Sequence, residues 1–410
     1  MSEKVSIQKV TTQDNPLLPW LLLEAPQIKS PEELTGALAR QLVKIEVPIW
    51  RLAVVIRTLH PQVVGTNYRW SQAAEEVEVF QAKRDRIDTE AYTNSPLVPI
   101  FEGAGAIRRR LDVDNPLLDF GILKEFHDAG ATDYVAMPMY FSDGQIHALT
   151  LTTMQPGGFA TSDLGYVYET IGVLGRLYEG YAMRHTAVTL LETYLGKHAG
   201  GRVLEGQITR GGGDDVEAVI WFCDLRDSTP LAQSMSRPDF LSLLNDFFDC
   251  MAGAVLDNGG QVLRFIGDAA LAIFPVTSGK HTWMECCTNP EAARDRALVA
   301  AADAQQRINE VNHRRQQIGQ AQLRFGLGLH QGEVTYGNIG TATRLEFTVI
   351  GSAANEAARV EGLCKSLHEP ALLSEAFASY YPNRFVSLGR HQLRGVPGDQ
   401  EIFALREKVV

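Results

Sequence analysis

Cysteine is scarce in this sequence, with five in 410 residues. Cys223, Cys250, Cys286, Cys287 and Cys364 show no metal-ligand spacing and no even framework, which excludes a disulfide scaffold and leaves reduced, mostly buried thiols as the expectation. Basic charge is in deficit as well. With 38 Lys and Arg against 49 Asp and Glu, the formal net charge is −11, which argues against a nucleic-acid surface but leaves room for a local site that takes a small anion. No apolar run is long enough to cross a bilayer. The first residues hold only a short apolar stretch, 17–23, broken by Pro19 and without a basic leader or cleavage site, so the expected location is cytoplasmic with no membrane partner. What remains is ordinary globular composition, 45% hydrophobic and 21% charged, in a chain long enough for two or three domains.

Segment 196–215 is rich in glycine and charge and reads as a linker. Its GGGDD run resembles the diguanylate cyclase signature, but a linker is the wrong setting for a motif expected on a turn between strands. Before it, 161–195 reads as a helix opened by Thr161, Ser162 and Asp163. Val167, Ile171, Leu174, Tyr178, Tyr181, Val188 and Leu195 mark a seam of three- and four-residue steps, which suits either a parallel dimer stalk, the preferred reading, or a helix packed on its own domain. Upstream, strand-like runs at 49–58, 134–139 and 146–152 alternate with helical stretches such as 31–45. This layout is similar to a GAF domain, a sensory or dimerisation module whose effector would be an unidentified small molecule. The expected division is a GAF-like α/β domain over 1–160, a helical stalk and linker over 161–213, and a third domain over 214–410.

In that third domain the run Val219, Ile220, Trp221, Phe222, Cys223 ends on Asp224, with Asp227 just beyond. An unbroken apolar run reads as a strand buried on both faces, and its last residue emerges at a sheet edge. Ser236, Pro238 and Asp239 open a helix whose Phe240, Leu241, Leu244, Phe247, Phe248, Met251 and Val255 fall on one face, and 258–260, Asn-Gly-Gly, stops it. Strands follow at 261–266 and 269–274, joined by the turn Gly267-Asp268. If the strands are neighbours, Asp224 and Asp268 converge at one edge. Unpaired they would repel, and a divalent cation resolves that conflict in the manner needed for phosphoryl transfer. Segment 225–229, leading into a short helix, would offer backbone N–H groups to phosphates.

FCDLRDST, RFIGDAALAIF, LRFGLGLHQGEV and FTVIGSAANEAARVE, in this order and spacing, resemble the catalytic domain of the class III nucleotidyl cyclases over about 216–404. The resemblance implies a ferredoxin-like palm of α+β class, acting as a head-to-tail homodimer with ATP and two Mg²⁺ or Mn²⁺ ions per site at the subunit interface. Carried over by position, Asp224 and Asp268 are the metal ligands, joined by the backbone carbonyl of Leu225. Asn355 orients the ribose and Arg359 stabilises charge at the α-phosphate, both from the other subunit. Arg394 meets the terminal phosphates, and Leu225 and Thr229 bound the phosphate segment. Arg264 and Thr348 occupy the two purine-reading positions. Thr348 leans to adenine. Arg264, donor-only, departs from both the Lys of adenylate and the Glu of guanylate cyclases, and it can serve adenine N1 or guanine O6 and N7. The expected activity is adenylate cyclase, a phosphorus-oxygen lyase, under N-terminal sensory control. Its rivals are a guanylate cyclase and a non-catalytic nucleotide-binding regulator.

Three further expectations concern residues outside these roles. His330 is read as stabilising a turn after a strand at 323–329, near Gly332. Glu333 and Glu346 are read as facing solvent or pairing with arginines. Segment 277–290, with Trp283 and the Cys286-Cys287 pair, reads as a loop insertion.

Overall fold

The structure, a computed structural model, describes residues 15–58, 63–74, 76–83, 89–276 and 290–407. It divides into two compact units, Met1–Leu190 and Leu191–Val410. In the first, helices α1 (Leu18–Leu23) and α2 (Pro31–Lys44) precede strands β1 (Arg51–Arg57), β2 (Val63–Ser71) and β3 (Val77–Lys83). Short helices α3 (Glu90–Thr93) and α4 (Leu97–Phe101), strand β4 (Ile107–Arg110) and helix α5 (Gly121–Asp128) lead to the hairpin β5 (Asp133–Tyr140) and β6 (Ile146–Thr153), then to α6 (Thr161–Leu195).

The six strands form one antiparallel sheet in the order β3-β2-β1-β6-β5-β4. β1 is central because it is apolar on both faces. Leu52, Val54 and Ile56 pack with residues of α1, α2 and α6, while Val55 packs on the opposite face with α4 and α5. Ser30 caps α2 by accepting the Glu33 N–H at 3.1 Å, with Pro31 in the first turn. The stalk expectation for α6 is corrected over its first half. Val167, Leu174 and Tyr178 are buried in the core of their own unit, and the Tyr178 hydroxyl bonds that of Thr35 at 2.6 Å. One apolar stripe satisfies a sheet as well as a partner helix, so the spacing alone did not separate the two.

His147 on β6 gives this unit an acid-sensitive point. Its Nδ1 accepts the Arg57 backbone N–H at 2.9 Å, its Nε2 is buried without a partner, and burial pushes its pKa down to about 4. A histidine near 6.5 when unfolded and near 4 when folded contributes stability above pH 6.5 that is lost as the pH falls towards 4. The first unit is therefore expected to lose about 3 kcal/mol of stability across that window. The pH dependence should flatten in His147→Gln, followed by circular dichroism.

In the second unit, α7 (Lys197–Leu204) precedes β7 (Gly213–Leu225), α8 (Ser228–Ser234), α9 (Arg237–Asp257), the hairpin β8 (Gln261–Ile266) and β9 (Ala269–Pro275), and α10 (Pro290–Gln317). Strands β10 (Phe325–Gly340) and β11 (Leu345–Ile350), helix α11 (Ser352–Leu367), β12 (Ala371–Ser374), α12 (Glu375–Ala378), β13 (Phe385–Gln392) and β14 (Asp399–Glu407) complete it. The sheet order is β13-β14-β12-β10-β7-β9-β8, with β11 paired to β10, giving a mixed α+β architecture. Alternate residues of β7 serve opposite faces, as the period of a strand requires. Trp221, Cys223 and Leu225 pack with α9 and α10, whereas Ala218 and Ile220 pack with α11. Ser236 caps α9 through the Asp239 N–H at 3.3 Å.

Three expectations change here. β7 is longer than its apolar run and takes in Gly213, Asp214 and Asp215, so GGGDD is not wholly a linker. Thirteen register pairs with β10 extend it past the apolar segment. His330 lies within β10 rather than at a turn, buried, with Nδ1 at 3.0 Å from the Ser374 hydroxyl. Gly332 is likewise mid-strand, where a Cβ would meet the Cβ of Ala353 at 2.7 Å, so this glycine admits α11 rather than making a turn. Cys223, Cys250 and Cys364 are buried free thiols. The insertion read at 277–290, with Trp283, Cys286 and Cys287, lies outside the described residues except for Pro290. No helix among the described residues is long and apolar enough to cross a membrane.

Candidate active site

β7 pairs with β9 so that Asp224 stands opposite Ala269, and Gly267, with φ of +65°, turns the β8–β9 hairpin to bring Asp268 alongside. The Leu225 N–H donates to the Asp268 carbonyl at 3.2 Å, tying the two strand ends. Burial pushes the Asp224 carboxyl above the usual carboxylate range, reinforced by the charge of Asp268 and a hydrogen bond with it, while Arg226 pulls the other way. Two hard oxygen donors pressed together in this way fit a Mg²⁺-class cation, which is commonly held by one or two carboxylates with phosphates and water completing its shell. Among the described residues no cluster of three or more His, Cys, Asp and Glu offers an all-protein alternative.

Behind the pair lies an ion pair that the sequence did not suggest. Arg226 reaches Glu361 of α11 at 2.7 Å, and burial raises the Glu361 carboxyl to about 7 against the pull of Arg226. The pair crosses Gly326, the residue opposite Asp224 on β10, where a Cβ would lie 2.0 Å from Arg226 and 2.2 Å from Glu361. The available signal was the alternation in FGLGL, since glycine inside a strand marks a close approach.

Segment 225–229 is narrower as a phosphate cradle than expected. The N–H groups of Leu225 and Arg226 are already committed, to Asp268 and to the Arg324 carbonyl at 2.8 Å, because β7 continues its pairing to this point. Only the N–H groups of 227–229 stay outside the sheet pairing, at the start of α8. Asp227, the second acid of the motif, has a left-handed backbone and pairs with Arg324 rather than with Asp268. A cavity of about 920 Å³ runs along this segment, lined by Asp224, Thr229, Asn309, Arg324 and Lys365 among others.

A second group assembles on β8 and β11. Arg264 lies 3.1 Å from the carboxylate of Glu346, which agrees with the expected arginine pairing of that glutamate. Two residues on, and so on the same strand face, Thr348 is buried with its hydroxyl unpartnered. Asn355 and Arg359 sit one turn apart on the exposed side of α11, opposite the buried Ala353, Ala357 and Val360, and make no hydrogen bond or ion pair with described residues of their own chain. Arg394 is exposed on the turn between β13 and β14. One chain thus brings Asp224, Leu225 and Asp268 together, and Arg264 with Glu346 and Thr348, but leaves Asn355, Arg359 and Arg394 facing outward.

Residues 214–406 match the family described as the adenylate and guanylate cyclase catalytic domain. An adenylate cyclase of Anabaena cylindrica is 33% identical over 161 residues, covering 38% of this chain and 29% of that protein. An uncharacterized protein of Mycobacterium tuberculosis is 36% identical over 209 residues, covering 49% of this chain and 35% of its own. The chain thus spans about a third of the length of the curated relatives it matches. Among solved structures, that of the guanylyl cyclase Cya2 is similar with a TM-score of 0.40 and 25% identity, over 47% of this chain and 93% of that one. With its paired strand-end aspartates and its family match, the segment 214–406 of the second unit is a class III adenylate/guanylate cyclase catalytic domain.

Proposed function

We propose that the chain is an adenylate cyclase that converts ATP to 3′,5′-cyclic AMP and pyrophosphate at sites shared between two copies of itself, with the first unit as a GAF-like sensor. The observation that carries the reading is the convergence of Asp224 and Asp268 on adjacent strands. These carboxylates, with the Leu225 carbonyl, would hold two Mg²⁺ or Mn²⁺ ions per site. Bound there, the ions would acidify the ribose 3′ hydroxyl and neutralise the triphosphate. The 3′ oxygen bonds to the α-phosphorus as the bond to pyrophosphate breaks. Asn355 of the second copy would hold the ribose. Arg359 would donate its forked N–H groups to the α-phosphate as charge builds. Arg394 and the N–H groups of 227–229, ending at Thr229, would bind the outer phosphates.

Arg264 and Thr348 would read the base. The unpartnered Thr348 hydroxyl can accept from the adenine amino group, and Arg264 can donate to adenine N1. One observation favours guanine as a second reading: Glu346, held on Arg264, supplies a carboxylate able to accept from the guanine N1–H and amino group. Incubation with ATP or GTP and Mn²⁺ or Mg²⁺, with the cyclic product identified by mass, tests the proposal. Cyclic AMP is expected to predominate. Glu346→Gln is expected to leave the ATP rate within about threefold, whereas a GTP enzyme reading its base through Glu346 would lose about tenfold or more. Inactivity towards every triphosphate would favour the non-catalytic regulator.

A further inference from the structure

Three carboxylates, those of Asp224, Asp268 and Glu361, act on one another at the end of β7, and Arg226 is a cation among them. Arg226 lies two residues beyond Asp224 and so on the same strand face, with its guanidinium over Gly326, the residue that pairs with Asp224 across the sheet. The guanidinium has acids on two sides, those of the proposed metal site and that of α11. Its contacts go to α11. Arg226 Nη2 stands 2.7 Å from Glu361 Oε1 and donates to the Glu361 backbone carbonyl at 3.2 Å. No aligned N–H reaches Oε1, so the carboxylate contributes charge to the contact rather than a directed hydrogen bond. The two side chains are 19% and 7% exposed, and water therefore screens that charge weakly.

Asp224 feels the same cation. Arg226 favours the ionised Asp224 carboxylate, as a metal ion would, and a positive charge so placed opposes any second cation that approaches those oxygens. A bare guanidinium and a Mg²⁺-class ion are thus competitors for one pair of acids. Glu361 removes the conflict by neutralising the guanidinium from the α11 side. What the ions then meet is the charge of Asp224 and Asp268, undiminished by Arg226.

We propose that Glu361 is a positioning residue for the cyclase reaction, cancelling the charge of Arg226 so that Asp224 and Asp268 take up the catalytic cations. The inference rests on the metal-holding role proposed for those two aspartates. Manganese electron paramagnetic resonance of the full chain with 3′-deoxy-ATP reads the Mn²⁺ affinity without turnover, at pH 8, where a Glu361 carboxyl near 7 is largely ionised. Glu361→Gln keeps the shape and removes the charge, and it should weaken Mn²⁺ binding by about fivefold or more. Adding Arg226→Gln to it removes both charges and should return the affinity to within about threefold of wild type, which a pair that merely braced α11 against β7 would not do. Glu361→Asp, with the charge retained, should also bind Mn²⁺ within about threefold of wild type. Undiminished binding in Glu361→Gln, or a double variant no tighter than that single one, would overturn the proposal and leave the cyclase reading standing. A wild-type chain that takes up no Mn²⁺ with the nucleotide would sink both. If Glu361→Gln melts early, Arg226→Gln alone decides: without the cation Mn²⁺ should bind at least as tightly as in wild type, and weaker binding would refute the proposal.

Discussion

Mixing a chain that carries Asp268→Ala with one that carries Arg359→Ala is expected to restore cyclase activity that neither variant shows alone. The reason is the placement of the two groups. Asp224 and Asp268 meet at strand ends on one surface of the second unit, whereas Asn355 and Arg359 project from the exposed side of α11 and make no hydrogen bond or ion pair with described residues of their own chain. If Arg359 meets the developing phosphate charge as proposed, a second copy must bring its acids to it. Each single variant should lose at least about 10³-fold, because removing a metal ligand or the charge that stabilises the transition state costs several kcal/mol. In an equal mixture about half the dimers are mixed, and one of the two sites in each keeps every residue, so about a quarter of wild-type activity should return. No recovery from two variants that fold and dimerise would mean that each chain completes its own site.

The second large effect concerns stability. Gly328→Val is expected to destabilise the second unit by about 3 kcal/mol or more and to remove activity with it. A Cβ at residue 328 would lie 2.4 Å from the Ala357 carbonyl oxygen and 2.6 Å from the Glu361 nitrogen, which are backbone atoms of α11 and cannot swing aside. The helix would have to lift from β10, taking Asn355, Arg359 and the Glu361 partner of Arg226 with it. Gly362→Ala on the same helix is the matched control. Nothing lies within 4 Å of its added carbon, so it should gain up to about 1 kcal/mol in urea unfolding. Equal midpoints for Gly328→Val and wild type would show that the close approach of helix and sheet is dispensable.

How much of this was legible beforehand depended on whether the signal was local. Ser236 with Pro238 and Asp239 marks a helix start within a few residues, and α9 begins there. The aspartates were legible because each ends an apolar run, and adjacency of the two strands was a short further step. α6 keeps its expected limits, Thr161–Leu195, yet its partner was not readable, since a sheet and a second helix demand the same stripe. Arg226 with Glu361, and Arg264 with Glu346, join residues far apart in the chain through sheet pairing and helix docking, which leave no periodic trace. The loss of N–H groups at 225 and 226 follows from β7 continuing to pair beyond its apolar segment, a boundary that hydrophobicity does not mark.

The central claim is that the carboxylates of Asp224 and Asp268 together grip the catalytic cations. Manganese electron paramagnetic resonance of the full chain with 3′-deoxy-ATP, which binds as a substrate but lacks the attacking hydroxyl, measures that directly. Wild-type protein should immobilise Mn²⁺ stoichiometrically with the nucleotide, and Asp224→Asn and Asp268→Asn should each release most of it. Undiminished manganese binding in both variants would contradict the account.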